Sequence, residues 1–200
     1  MNHIKVPVIF EKALDEKFCK KILKAPSTSL RKGEIGGDNK LDETIRKAKT
    51  RFLSGDWMYQ KINPFLQEAN KKGDWNFNVN WFEPAQITQY QKGEFYNWHT
   101  DEHESPYPAD HPNKNYRNKI RKISCTLQLS RADTYEGGSL DLTLPACREG
   151  QVGLKKIKLN KPMDIGTLIF FPSFVTHQVN PVTRGTRHAL VLWGLGPPYA

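Results

Sequence analysis

Cysteine is scarce. Cys19, Cys125 and Cys147 are odd in number and share no metal-ligand spacing, which argues against a disulfide framework and a zinc module and fits a reducing compartment. Long apolar runs are missing too. The longest, Thr167 to Phe174 and Ala189 to Leu195, are far too short to span a bilayer, and no apolar signal-peptide core opens the chain. A soluble, cytoplasmic protein without a membrane partner is expected. No internal repeat is visible, so solenoid architectures are not indicated.

Positive charge is in excess: 30 Lys and Arg stand against 21 Asp and Glu, a net +9. Much of it lies in Lys20 to Lys24, Arg46 to Arg51, Lys114 to Lys122 and Lys155 to Lys161. Such a balance admits an acidic partner or nucleic acid, but no basic run is interleaved with aromatics as a single-strand-binding surface would be. Solvated lysines on exposed faces give the same total. With 38% hydrophobic content and all five Trp between residues 57 and 193, the chain can bury one core, and a single domain over 1–200 is expected. Oligomeric state is not legible.

Periodicity divides the chain. Residues 11 to 25 carry helical apolar spacing through Ala13, Leu14, Phe18, Ile22 and Leu23 and stop at Pro26; a polar stretch follows from Ser27 to Lys40. The same reasoning predicts helices over 41–53 (Leu41, Ile45, Ala48, Phe52) and over 56–71, the latter bent or restarted at Pro64. From Trp75 the period becomes two, with Trp75, Phe77, Val79 and Trp81 alternating with asparagines. Further strands are expected at 86–91, 121–130, 138–144, 155–159, 167–171 and 188–195. Helices first and short strands afterwards describe an α+β chain: a mainly helical support over 1–74 and a sandwich or barrel-like core over 75–200. Glu102 to Asn118, rich in Pro, His, Asn and charge, reads as a mobile loop.

His99 and Asp101 stand two apart, and His177 follows an apolar run 76 residues later. On an extended strand residues i and i+2 share a face, so an imidazole and a carboxylate can converge on one ion, with a second histidine arriving from another strand. Two histidines and one carboxylate with open positions suit non-haem Fe(II) in oxygen-activating enzymes. The loop after Asp101 sits at the mouth of any such site, where a lid or a plain surface insertion would both be at home. His3, His103 and His111 read as surface histidines. His188 should face away from Arg187 and serve structure.

Taken in order, Tyr90 through Asp101, Tyr135-Glu-Gly-Gly-Ser-Leu, and Phe171-Pro-Ser-x-x-x-His177 with Arg187 ten positions on resemble the 2-oxoglutarate and Fe(II)-dependent dioxygenases. The branch is prolyl 4-hydroxylase-like, in the manner of small bacterial and phage-type members. The likeness covers residues 75–197 well and the N-terminal helices loosely. It implies an α+β fold with a double-stranded β-helix (jelly-roll, cupin-like) core and supporting N-terminal helices. It also implies His99, Asp101 and His177 as iron ligands, with Fe(II), 2-oxoglutarate and O2 as reactants and ascorbate as a reductant. Arg187 would bind the distal carboxylate of 2-oxoglutarate through its planar fork. The same resemblance gives Tyr90 as a hydrogen-bond partner of the cosubstrate and Gln128 as a pocket residue where relatives often carry a tyrosine. Tyr96 and Trp98 would line the substrate side, and Trp193 would back the pocket. An intact Asp101 favours hydroxylation over halogenation, in which that carboxylate is vacated for a halide. The implied activity is hydroxylation of a carbon in a peptide or protein, a peptidyl proline first. The alternatives are oxidative demethylation or hydroxylation of nucleic acid bases, and a catalytically silent β-helix binding module.

Overall fold

The computed structural model describes residues 5–34, 41–148, 151–159 and 163–199. The expectations for His3, for 35–40 and Lys161, and for the side chain of Cys147 lie outside the described residues. A short strand β1 (Val8–Phe10) precedes helix α1 (Glu16–Lys24), which buries Cys19 and Ile22. Asp15 caps α1 by accepting from the Phe18 N–H at 2.7 Å, with Glu16 in the first turn and Lys21 and Lys24 in the last, each complementing the helix dipole. That cap sets the start of the helix later than residue 11, where periodicity alone placed it.

The helix expected over 41–53 is absent. The segment forms β2 (Arg31–Lys32), β3 (Arg46–Lys47) and β4 (Lys49–Leu53) together with the residues before it. Arg46, Ala48 and Thr50 are buried while Lys47 and Lys49 are exposed, a period of two that the apolar spacing of Leu41, Ile45, Ala48 and Phe52 disguised. The described part of the first 74 residues therefore holds four strands beside its two helices. Helix α2 (Asp56–Lys72) continues through Pro64, which is exposed on the same side as Gln60, so the carbonyl freed by the missing N–H meets solvent.

The rest of the chain is strand: β5 (Trp81–Phe82), β6 (Ala85–Tyr90), β7 (Phe95–His99), β8 (Ile120–Gln128), β9 (Tyr135–Gly137) and β10 (Leu140–Arg148). Then come β11 (Gln151–Lys158), β12 (Leu168–Pro172), β13 (His177–Val179), β14 (Val182–Gly185) and β15 (Arg187–Gly196). The strand expected over 75–81 shrinks to β5. Trp75, Phe77 and Val79 do turn inward to the core, but the backbone of 75–77 bonds to Asn70 of α2, and the ladder to β15 begins only with the Asn80 N–H, which donates to the Leu195 carbonyl at 2.9 Å. The Asn70 side chain accepts from the Phe77 N–H at 2.9 Å and donates to the Phe77 carbonyl at 2.8 Å. Asp74 and Asn76 adopt left-handed backbone, with φ of 58° and 53°, which breaks any ladder.

A larger sheet runs β1-β12-β8-β15-β6-β4-β2, with β5 added beside β15; a smaller one runs β11-β10-β13-β7-β3; β9 and β14 form a ribbon. All pairings are antiparallel. Alternation gives the larger sheet two unlike faces. Ile123, Cys125 and Leu127 of β8, Leu190 and Leu192 of β15 and Ile87 of β6 pack against Ile22 of α1 and Met58, Ile62 and Leu66 of α2. The opposite face carries Gln86, Thr88, Tyr90, Thr126 and Trp193, which border a cavity between the sheets. A smaller apolar cluster of Leu140, Leu142, Ile169, Phe171 and Val175 closes the far side of that space. Among the described residues no helix is long and apolar enough to cross a membrane.

Among the described residues Asn70 is the sole side-chain tie between α2 and the backbone of Phe77. Asn70→Ala is expected to lower the free energy of unfolding by about 1 to 3 kcal/mol, the cost of orphaning two part-buried backbone groups. The midpoint of urea denaturation measures it.

Candidate active site

β7 and β13 place His99 directly opposite His177. The next pair is Tyr96 opposite Val179, so three residue steps on β7 face two on β13. This bulge lets Tyr96 and His99 project to one side although they are an odd number apart, and their rings stack with centroids 3.5 Å apart and planes at 13°. It also corrects the reading of Trp98. That side chain turns outward, 36% exposed, and approaches Lys156 instead of the cavity.

β7 ends at His99, so Asp101 arrives from a bend and not from the extended strand that its spacing suggested. The bend is fixed by Ser173, whose carbonyl accepts from the N–H groups of both Asp101 and Glu102 at 3.0 Å. The carboxylate then lies between the imidazoles: Oδ1 is 4.0 Å from Nε2 of His99, and Oδ2 is 3.6 Å from Nε2 of His177. One ligand atom from each of the three residues falls within 4.8 Å of the others.

The protonation of the trio is set by its surroundings. Nδ1 of His99 donates to the Asn97 carbonyl at 2.7 Å and Nδ1 of His177 to the Val175 carbonyl at 2.9 Å. Carbonyls only accept, so in the neutral form of each ring the lone pair lies on Nε2, facing Asp101. Burial, reinforced by the neighbouring His177, pushes the His99 pKa down to about 3 and keeps the ring neutral. Burial alone would raise Asp101, but His177, His99 and Arg121, with the Ser124 hydroxyl, hold it below the usual carboxylate range. Two imidazoles presenting Nε2 and one carboxylate are a donor set for a divalent cation. Oδ2 of Asp101 is buried and has no hydrogen-bond partner among the described residues.

The cavity measures about 740 Å³. It is bordered by the trio, by Tyr90 and Tyr96, and by Trp193, which backs it as expected. Tyr90 is 4% exposed, and burial raises its pKa against the pull of Arg46 and Arg187, so the phenol stays a hydrogen-bond donor. Arg187 is the cross-strand partner of Tyr90, with its guanidinium carbon 5.6 Å from that ring. Arg187 and Gln128 do not open on the main cavity. They line a narrow cleft beside it, with Leu140 bordering both. Gln128 spends its amide on the Ser130 carbonyl at 3.4 Å. Gly138, at φ 63°, lies where an added Cβ would stand 2.9 Å from Cδ of Arg187, so the glycine gives the arginine its room. His188 is half-buried and points away from Arg187, as expected.

Several residues at the site escaped sequence reasoning. His103 is not a surface histidine: it lines the cavity with a buried Nε2 that has no partner among the described residues. The pair of hydrogen bonds to the Ser173 carbonyl folds the chain back over the site and carries His103 with it. The loop after it is knit together, with Tyr107 donating to the Lys119 carbonyl at 2.8 Å and accepting from Asn118 at 3.1 Å. The Tyr107 hydroxyl donates to Glu83 at 3.0 Å. His111 stacks on Tyr116 at 5.0 Å and is only half exposed. Beneath the site Arg121 pairs with Glu83, donates to the Asp101 carbonyl at 3.2 Å and lies 4.0 Å over the Trp193 ring. An ion pair 38 residues apart leaves no local signature. Arg46 was hidden in a basic run, and only its alternation with Lys47 and Lys49 marked it.

The family model of the 2OG-Fe(II) oxygenase superfamily matches residues 85–194, more than half of the chain. The chain belongs to this superfamily. A PKHD-type hydroxylase of Pseudoalteromonas atlantica is 40% identical over 111 residues, 55% of this chain and 42% of that protein. The chain thus matches less than half the length of this curated relative. A prolyl-4-hydroxylase from Pseudomonas putida has a similar fold, with a TM-score of 0.63 at 20% identity, over 96% of this chain and 93% of the other. A prolyl hydroxylase from Trichoplax adhaerens, in complex with a hypoxia inducible factor peptide fragment, gives 0.59 at 19% identity, over 94% and 82%. The two facing sheets are therefore the expected double-stranded β-helix. Membership of the 2OG-Fe(II) oxygenases implies Fe(II), 2-oxoglutarate and O2, and the unpartnered Asp101 oxygen between two imidazole lone pairs fits the ion.

His99 is neutral in the folded chain far below the ordinary histidine value of 6.5. From there down to about pH 3 the unfolded chain binds more protons at this residue, so its contribution to stability is complete above the unfolded value and lost as pH falls. The ion-free chain is expected to lose thermal stability between about pH 7 and about pH 5. His99→Gln should flatten that decline in thermal melts, and an equally steep decline in the variant contradicts the assignment.

Proposed function

We propose that the chain hydroxylates a carbon in a peptide or protein, with a peptidyl proline as the first candidate, at the expense of 2-oxoglutarate. The observation that carries the reading is the Asp101 oxygen, buried without a partner beside two histidines whose tautomers are locked. His99, Asp101 and His177 hold Fe(II), and Arg187 takes the distal carboxylate of 2-oxoglutarate in the cleft it lines. Tyr90, a buried neutral phenol between cavity and cleft, donates to the cosubstrate, and Gln128 closes the end of the cleft. With iron, cosubstrate and dioxygen bound, the centre supplies an oxidation in which one oxygen atom enters succinate, formed with carbon dioxide, and the other enters the substrate's C–H bond. Ascorbate as reductant belongs to the same reading.

The protein's own part is positioning and exclusion of water. A buried carboxylate needs a paired charge, and Arg187 offers a planar fork in a narrow cleft of mixed apolar and polar lining. Tyr96, Trp193 and His103 wall the remaining opening. Support for a peptide comes from the Trichoplax structure, which holds one, and for hydroxylation from the relative's name and the intact carboxylate. The intact trio speaks against a silent binding module.

Purified chain supplied with Fe(II), 2-oxoglutarate and proline-containing peptides is expected to yield succinate and oxygenated peptide in equal amounts, followed by mass spectrometry. Succinate without oxygen in any peptide rejects the peptide substrate. His177→Ala should abolish both products. Arg187→Ala should raise KM for 2-oxoglutarate by about 30-fold or more, the loss of one buried charge-assisted pair, and Arg187→Lys should recover only part because it lacks the fork.

A further inference from the structure

Two arginines border the cavity: Arg121, which pairs with Glu83, and the buried Arg46, which has no such partner among the described residues. Arg46 of β3 is 7% exposed and borders the same space as the metal trio. Its guanidinium carbon lies 4.5 Å from the centroid of Tyr96, whose ring is stacked on His99. Nη1 donates to the Glu34 carbonyl at 2.7 Å, while Nε is buried and has no acceptor among the described residues. No ion pair engages Arg46 among the described residues. Gly33 admits it, since an added Cβ there would stand 2.7 Å from Nε.

A guanidinium cannot shed its proton, so burying it unpaired is costly until an anion arrives. 2-Oxoglutarate brings two carboxylates. In the reading above one goes to the metal and the other to Arg187, which leaves none for Arg46. Arg46 lies against Tyr96, whose ring is stacked on His99, and so borders the cavity beside the trio. We propose that Arg46 is a specificity residue that pairs with a carboxylate of the substrate, an Asp or Glu side chain close in sequence to the hydroxylated residue. The proposal rests on the peptide-hydroxylase reading and adds to it the chemistry of the residue beside the target.

Binding by the chain loaded with Zn(II), which suits the same ligands without turning over, tests it independently of catalysis. The probes are fluorescein-labelled peptides with one central proline, one Asp or Glu at a single flanking position, and their Asn or Gln counterparts. All have amidated C-termini; one neutral peptide with a free terminus reports an α-carboxylate as the anion. At one position the acidic peptide is expected to bind about tenfold more tightly than its neutral counterpart, an increment within reach of one charge-assisted pair. Arg46→Gln should bring the ratio to about one, and Arg46→Lys should retain part of it. The Lys variant, checked by thermal melting, covers a Gln variant that fails to fold. The proposal is overturned if no peptide binds, if the wild type shows no acidic preference, if only the free terminus is recognised, or if the preference survives in Arg46→Gln. It is also overturned if that variant weakens binding of 2-oxoglutarate and leaves the peptide ratio intact. An acidic preference lost with Arg46, in a chain that hydroxylates none of these peptides, would sink the peptide-hydroxylase reading and leave the site assigned.

Discussion

Two N–H groups converge on one oxygen, and the geometry of the cavity depends on it. The Ser173 carbonyl, in the turn before β13, accepts from Asp101 and Glu102 just past the end of β7. Ser173 is itself fixed, through its N–H to the Lys122 carbonyl and its hydroxyl to Ser124, both at 3.0 Å. Three segments distant in sequence are thus tied at a single residue. Without the tie Asp101 would continue along β7, away from His177. With it, the carboxylate stops between the histidines and the chain doubles back to bring His103 over the opening.

The larger sheet explains how a cavity of this kind is tolerated in a small protein. Its outer face and the two helices bury a continuous apolar cluster, and burial of that kind is the dominant favourable term in folding. The inner face is therefore free to carry groups that a core would reject: Gln86 bonds to Thr88 at 2.9 Å, and Ser124 to Ser173. Two of the charged side chains there are compensated by geometry: Arg121 has Glu83 and an aromatic face, and Arg187 lies against Tyr90. Arg46 and one oxygen of Asp101 are not, among the described residues. Stability on one face of the sheet underwrites chemistry on the other.

How far the sequence revealed this follows from the range of each interaction. His99, Asp101 and His177, which the fold brings together, were legible because their order and spacing are linear features, and the longer strands β6, β8, β10, β11, β12 and β15 because their apolar patterns are strong; β9, β13 and β14, of three or four residues each, were not foreseen. The helix expected over 41–53 failed because the inward side of β3 and β4 is polar: with Arg46 and Thr50 facing the cavity, a period-two strand lost its apolar signature and a helical one appeared by coincidence. Residues 75–80 kept the burial alternation of a strand, but the backbone of 75–77 is bonded to Asn70 and not to a ladder. Trp98 was misread because a bulge shifts the face by one residue, and nothing local announces a bulge. His103 and the Glu83–Arg121 pair depend on contacts made only once the chain is folded.

The stack of Tyr96 on His99 also bears on ion selection. An imidazole hydrogen-bonded through Nδ1 and pressed against a phenol ring has already surrendered its rotational freedom, as has His177, bonded to Val175 and lying 4.7 Å from the Phe171 ring. An arriving ion then pays little entropy to order its ligands. A cage so rigid cannot adapt to flatter a preferred metal. Under the proposed assignment, discrimination among first-row ions would rest on the donor set, its fixed geometry and cellular supply.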